Sequence, residues 1–202
     1  MRFGLSASVV LFSVVVWAQG PGGVKSPRHE DLQFTAADMQ AILQKAPLKD
    51  GKPADVSTRL ITDTTGSASY IRVVEPDRPH THGQWNEIYV VQSGSGTLET
   101  GGTMKGPFTS GAVHHMAIVD KSGKPIATAD EQAAAKAGKP ASAPTDTPPP
   151  PGEDAAGTSI EGGRSQQVKP GDVIVIPAGV PHTWTKVDEQ VTYFAIKYPK
   201  PQ

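Results

Sequence analysis

An all-β domain of short antiparallel strands, arranged as a sandwich or small barrel, is what these 202 residues specify. From about Ser57 the chain falls into runs rich in valine, isoleucine, threonine and tyrosine: "STRLITDT", "ASYIRVVE", "NEIYVVQSGSGTLETGG", "DVIVIPAG", "HTWTKV" and "QVTYFAIKY". Such residues suit a pleated, half-buried surface, and the glycine, proline, aspartate and serine between the runs form turns. The composition agrees: 21 Gly and 19 Pro require many turns, and a hydrophobic share of 37% supports one modest core. Only one stretch carries a helical period.

Residues 1–19, "MRFGLSASVVLFSVVVWAQ", combine Arg2, an apolar run from Leu5 to Trp17 and the small Ala18, the layout of a secretory signal. Thirteen apolar residues (5 to 17) fall short of the roughly twenty that span a bilayer. Residues 1–18 are therefore expected to be cleaved, leaving a periplasmic or secreted chain with no membrane anchor. The chain has no cysteine, so disulfides and thiolate ligands are excluded and packing or a metal must hold the fold. Residues 19–33, rich in Gly and Pro, read as a flexible leader in which His29 is solvated. Within 34–56, "FTAADMQAILQK" predicts a short helix with Thr35 as N-cap, Asp38 in the capping-box position, and Met39, Ile42 and Leu43 on the face that packs against a sheet.

The strand-bearing part spans 57–198, interrupted at 128–159 by alanine, proline and charged residues with a four-proline run at Pro148 to Pro151. This composition buries too little apolar surface to order itself and predicts a disordered surface insertion. Neither flank has enough strands to close a barrel alone, so both belong to one domain. A net charge of −1 provides no basic field, which excludes nucleic acid as a partner class.

Chemistry concentrates in two places. In "RPHTHGQWNEIYVV", side chains two residues apart on an extended strand share a face, so His80 and His82 project together, near 7 Å apart, and converge on one cation. Glu87 follows after a bend and shares its face with Tyr89 and Val91. In "GDVIVIPAGVPHTW", a buried "VIVI" strand ends at Pro177, which cannot continue a ladder, and Gly179 permits the tight turn that brings His182 back to the interior. At average glycine and proline usage, the spacing of Gly171, Pro177, Gly179 and His182 would arise by chance in such a chain on the order of once in a thousand.

With these residues in place the sequence resembles the cupin family. His80, His82, Glu87 and Gly94 match its H-x-H-x4-E-x6-G motif, and Gly171, Pro177, Gly179 and His182 match G-x5-P-x-G-x2-H. Val74 stands where a glycine is usual, Lys186 where an asparagine is frequent, and 76 residues separate Gly94 from Gly171, a long interval for the family. The resemblance implies a small antiparallel jelly-roll β-barrel holding a divalent metal through His80, His82, Glu87 and His182, and a homodimer formed through sheet edges. Three imidazoles and a carboxylate suit Fe, Mn, Zn, Ni or Cu better than Ca or Mg, without choosing among them.

Other residues near the motifs carry alternative readings. Tyr89 either donates a proton or orients a substrate, or is a buried tyrosine with a satisfied hydroxyl. Arg72 pairs with a substrate carboxylate if it faces the barrel and lies on the surface otherwise. Trp85 and Trp184 form an apolar wall or ordinary core, and Gln84 and Asn86 hydrogen-bond the ligands or are loop polarity. Only one of the adjacent His114 and His115 can look inward. The functional expectation is a metal-binding cupin that acts on or binds a small organic molecule, as a dioxygenase-type oxidoreductase. The alternatives are a non-catalytic extracytoplasmic binding module and a metal-dependent isomerase or lyase. With no Cys and no G-x-S-x-G, nucleophilic hydrolysis lacks its usual parts.

Overall fold

The computed structural model describes residues 33–46, 48–63, 65–110, 116–124 and 143–201. The expected signal at 1–18, the leader with His29 except residue 33, His114, His115, and residues 128–142 of the expected insertion lie outside the described residues. Helix α1 (Ala36–Lys45) begins as its sequence dictates: Thr35 Oγ1 accepts from Asp38 N–H at 3.2 Å and Asp38 Oδ2 accepts from Thr35 N–H at 2.8 Å, a reciprocal capping box. Its buried Met39 and Ile42 pack with Tyr70, Phe194, Leu60, Phe34 and Leu43, laying the helix on the outer face of the sheet.

Fourteen strands follow among the described residues: β1 (Leu48–Lys49), β2 (Lys52–Pro53), β3 (Val56–Asp63), β4 (Gly66–Val73), β5 (His80–Thr81), β6 (Trp85–Thr100), β7 (Thr103–Lys105), β8 (Thr109–Ser110), β9 (Ala117–Val119), β10 (Ala155–Ala156), β11 (Ser159–Glu161), β12 (Arg164–Val168), β13 (Val173–Ile176) and β14 (His182–Pro199). Ten of them form one sheet in the order β8-β10-β5-β14-β4-β3-β9, with β6 paired to β12, β13 and β14; β1 with β2, and β7 with β11, make two small ribbons. Every pairing is antiparallel except that of β3 with β9. The all-β expectation holds.

The runs "HTWTKV" and "QVTYFAIKY" fuse into β14, whose 18 residues pair with the 16 of β6 from His182↔Thr100 to Pro199↔Trp85. Along β6, Glu87 and Thr100 are separated by a contour of roughly 43 Å at ~3.3 Å per residue. Yet the side chain of His182, paired to Thr100, reaches Glu87, so the ribbon curls until its ends meet. Register shifts between Trp184 and Lys186, Val187 and Val191, and Thr192 and Tyr193 supply the bending, since bulges kink a strand and increase its twist. Gly94 lies opposite Val191 with φ +76, and a Cβ there would overlap the Gln190 carbonyl, so this bend requires glycine.

Strand alternation sends Ile71 and Val73 of β4, Tyr89, Val91 and Leu98 of β6, Val168 and Ile176, and Trp184, Val191, Tyr193 and Ala195 of β14 into one core. The "VIVI" strand is buried on one side only: Val173 and Val175 are 61% and 56% exposed while Ile176 is buried, because alternation gives the core face to Ile174 and Ile176 and turns the valines away from it. Residues 143–159 correct the expectation of disorder over that part of 128–159. Phe108 and Thr145 exchange backbone hydrogen bonds at 2.7 and 2.9 Å. The two alanines of β10 are fully buried between β5 and β8. Two small residues add little apolar area, but their backbone groups are paired on both sides and they lose no rotamer freedom. The fit is close, since a Cβ on Gly83 would run into the backbone of Gly152. Among the described residues no helix is long and apolar enough to cross a membrane.

Candidate metal centre

The curl of the ribbon brings both motifs together. β5 pairs with β14 at His80↔His182, and Gly179 N–H donates to His82 O at 2.9 Å, tying the second motif's turn to the first motif's histidines. One ligand atom from each of His80, His82 and His182 lies within 4.8 Å of the others. Their ring centroids stand 4.3 to 5.8 Å apart. Glu87, buried on the inward face of β6, places Oε2 3.0 Å from His182 Nε2 and Oε1 3.7 Å from His82 Nε2. The three imidazoles are thus gathered at one point, with Glu87 against two of them.

The rings are held from behind. Arg78 O lies 2.9 Å from His80 Nδ1 and Val180 O lies 3.0 Å from His182 Nδ1. A carbonyl only accepts, so both rings donate from Nδ1 and keep the lone pair on Nε2. Asp154 Oδ2 does the same for His82 at 3.1 Å and its Oδ1 accepts from Gly83 N–H at 2.9 Å. This is the support by which metal-ligating histidines are oriented and their tautomer fixed.

Electrostatics test whether a cation fits. His182 Nε2 is buried without a hydrogen bond although Glu87 Oε2 is 3.0 Å away: two acceptors face each other and call for a proton or a metal between them. Burial holds the His82 imidazole below its usual pKa, and burial with the neighbouring histidines holds His80 well below. For His182 burial works the same way but is outweighed by Glu87 and Val180 O, so its pKa rises. Burial would raise Glu87, but Lys197 and the imidazoles outweigh it and keep the carboxyl well below the usual range. His80 and His82 as neutral imidazoles and Glu87 as a carboxylate are in the protonation states a transition metal requires, and His182, whose pKa is raised, gives up a proton to bind one. The donor set fits one.

Three nearby residues were not indicated by the motifs. Lys197, directly opposite Glu87 in the β6–β14 register, places Nζ 3.1 Å from Glu87 Oε1 and 2.9 Å from His82 Nε2. Alternation along "QVTYFAIKY" does point to it, for Val191, Tyr193, Ala195 and Lys197 share one face. Asp154 carried no such signal, because the surrounding composition reads as disorder. Asp77 joins the strand ends from behind: its Oδ1 accepts from Thr183 Oγ1 at 2.7 Å and Trp184 N–H at 2.6 Å, and burial pushes its pKa up to about 6 despite these bonds.

Of the other expected residues, Tyr89 is buried and its hydroxyl donates to Glu87 Oε2 at 3.3 Å; burial and Glu87 raise its pKa well above normal. Arg72 is not brought to the site. Ile71 and Val73 take the core face of β4, and Arg72 turns the other way, donating to Ala54 O at 3.0 Å and to Leu43 O, in the last turn of α1, at 3.2 Å. The reading of Arg72 as a partner for substrate carboxylate is corrected accordingly: the carbonyls near the helix C-terminus take the guanidinium. Trp184 is core, stacked near Tyr193. Asn86 and Gln84 serve the scaffold rather than the ligands, Asn86 joining Pro199 O to Ala178 N–H and Gln84 donating to Gly152 O.

A family model described as "Cupin" matches residues 56–202. No curated protein matches the chain by sequence. Among solved structures, a Klebsiella pneumoniae protein with a double-stranded β-helix domain is similar at 10% identity and TM-score 0.41, over 84% of this chain and 91% of that one. KdgF from Halomonas sp. is similar at 12% identity and TM-score 0.39, over 78% and 92%. The DMSP lyase DddQ from Ruegeria pomeroyi is similar at 13% identity and TM-score 0.38, over 77% of this chain and 53% of that one.

Proposed function

The chain belongs to the cupin family, and on that premise we propose that it is a metal-dependent cupin acting on a small organic molecule, with His80, His82, His182 and Glu87 holding a divalent transition metal. The observation that supports this most directly is the set of three imidazoles, His82 and His182 buried and His80 partly so, each with Nδ1 against a fixed acceptor and a ligand nitrogen within 4.8 Å of the others. Fe, Mn, Zn, Ni and Cu all suit the set. When bound, the metal supplies Lewis acidity and, for the redox-active ions, one-electron chemistry.

The chain's own residues do the rest. Arg78 O, Val180 O and Asp154 orient the rings, while Trp184, Tyr193 and Tyr89 form a dry aromatic floor beside His182. Tyr89 holds a proton at its hydroxyl, against Glu87. Dioxygenase-type oxidation is the reaction class we assign. A metal-dependent isomerase or lyase is the second reading, favoured by the Tyr89–Glu87 hydrogen bond, which fixes a hydroxyl donor at the ligand carboxylate. The composition of residues 1–18 supports a periplasmic or secreted location, to be checked by N-terminal sequencing of the exported chain. A homodimer through sheet edges is the expected assembly, to be checked by sedimentation.

Metal content by mass spectrometry, followed by oxygen uptake against small organic acids and phenols, tests the function. Iron, manganese, copper or nickel with substrate-dependent oxygen uptake is the expected result. Zinc alone with no uptake refutes the oxidative class in favour of isomerase or lyase chemistry, and ligand binding without turnover favours a binding module. Full metal content in a His82→Ala variant refutes the site itself.

A further inference from the structure

We infer that Lys197 is the substrate-binding cation of this centre and that the molecule it receives is a small organic carboxylate; the inference rests on the metal reading above. Lys197 points inward from β14, in register with Glu87, and its Nζ sits 2.9 Å from His82 Nε2 and 3.1 Å from Glu87 Oε1. Those are two of the atoms assigned to the metal. In the metal-free protein the ammonium therefore stands in for the cation, satisfying both acceptors. A metal that takes His82 Nε2 and Glu87 Oε1 as ligands removes both from Lys197, and the like charges push the ammonium outward.

Exposure shows where it goes. The side chains of His82, Glu87 and His182 are at most 6% exposed, whereas those of His80, Lys197 and Asp154 retain 13%, 21% and 26%. Lys197, partly exposed, thus lies between the buried ligands and solvent. Its long flexible stem lets the ammonium shift without moving β14. Charge then selects the ligand. A divalent ion half-neutralised by one ligand carboxylate, with an ammonium beside it, leaves excess positive charge on the solvent side even after the Asp154 carboxylate, held by His82 Nδ1 and Gly83 N–H, is counted. A carboxylate offers one oxygen to the metal and another to Lys197 as a charge-assisted hydrogen-bond acceptor. A neutral ligand leaves the ammonium without either its old acceptors or a new one.

Cobalt loading provides the test, with Co2+ absorption in the visible as the readout and oxalate and its neutral isostere oxamide as probes. Wild type is expected to bind Co2+ and then oxalate, but not oxamide. Lys197→Met is expected to bind Co2+ at least as tightly as wild type, because a competing cation is gone, and oxalate roughly tenfold to a hundredfold more weakly, the effect of losing one charged hydrogen bond. Lys197→Arg, which keeps the charge, should restore most of the oxalate affinity. Undiminished oxalate binding by cobalt-loaded Lys197→Met, or equal binding of oxamide and oxalate by wild type, overturns this inference and leaves the metal site standing. Failure of wild type to take up Co2+ overturns both.

Discussion

Replacing Asp154 by asparagine separates orientation of a ligand from mere packing. Asp154 spans two donors, Gly83 N–H at Oδ1 and His82 Nδ1–H at Oδ2. Asparagine has the same shape but one oxygen. If that oxygen stays on Gly83, the amide NH2 faces Nδ1–H, and His82 escapes the clash by moving its proton to Nε2, the atom assigned to the metal. If the amide turns over, His82 keeps its tautomer and the Gly83 N–H loses its acceptor, at a cost of about 1–3 kcal/mol. Loss of such a ligand-supporting contact lowers metal affinity by about 10- to 100-fold, or roughly 1.4–2.7 kcal/mol. Asp154→Ala should be milder for the metal, since this partly exposed position admits a water that accepts from Nδ1–H without forcing a tautomer. Zinc titration by calorimetry against a competing chelator, on wild type and both variants, measures the ranking. Binding by Asp154→Asn within twofold of wild type, with the fold intact by circular dichroism, would refute the tautomer argument. So would a weaker site in the alanine variant than in the asparagine one.

Three further outcomes are expected. Burial pushes Asp77 up to about 6 in the folded chain against about 3.9 in the unfolded one, so between those pH values the folded state binds more protons than the unfolded and stability falls as pH rises. Asp77→Asn, which still accepts from Thr183 and Trp184, should gain on wild type over that window by up to roughly 3 kcal/mol, read from urea unfolding of the metal-free proteins at pH 4 and pH 7; a pH-independent difference argues against it. Gly94→Ala forces a Cβ into the Gln190 carbonyl at positive φ and should cost at least about 3 kcal/mol or abolish folding, checked by thermal unfolding. Excising residues 128–156 removes Asp154 and β10 together, so metal affinity in the same calorimetric assay should fall at least as far as in Asp154→Asn.

The meeting of His80, His82, Glu87 and His182 was legible because each of them sits where local rules act. His80 and His82 share a strand face, Glu87 shares one with Tyr89 and Val91, and Pro177 and Gly179 turn the chain back at His182. The capping box of α1 was legible for the same reason. Arg72 was not, since alternation pairs it against Ile71 and Val73 without saying which face the helix will cover; only the carbonyls of Ala54 and Leu43 decide that. Asp154 and β10 were hidden by a composition that cannot order itself but is ordered by others, through backbone pairing to β5 and β8. Val173 and Val175 misled in the opposite sense, being apolar on the face of β13 turned away from the core. Lys197 was legible by alternation from Tyr193 and Ala195, but a charged residue near a strand end reads by default as solvated.

The meeting of the ribbon's two ends sets an order of events during synthesis. His80, His82 and Glu87 emerge first, and His182 follows Glu87 by 95 residues, roughly 5 to 20 s later at 5–20 residues per second. Until β14 is made and the curl completed, the chain offers a cation only an incomplete grip. Full coordination therefore waits on about the last tenth of the chain. On the proposal that the chain is exported, and if it folds only afterwards, the ion is chosen by whatever metals surround the chain where the ribbon closes, and those present where it was translated have no claim on it.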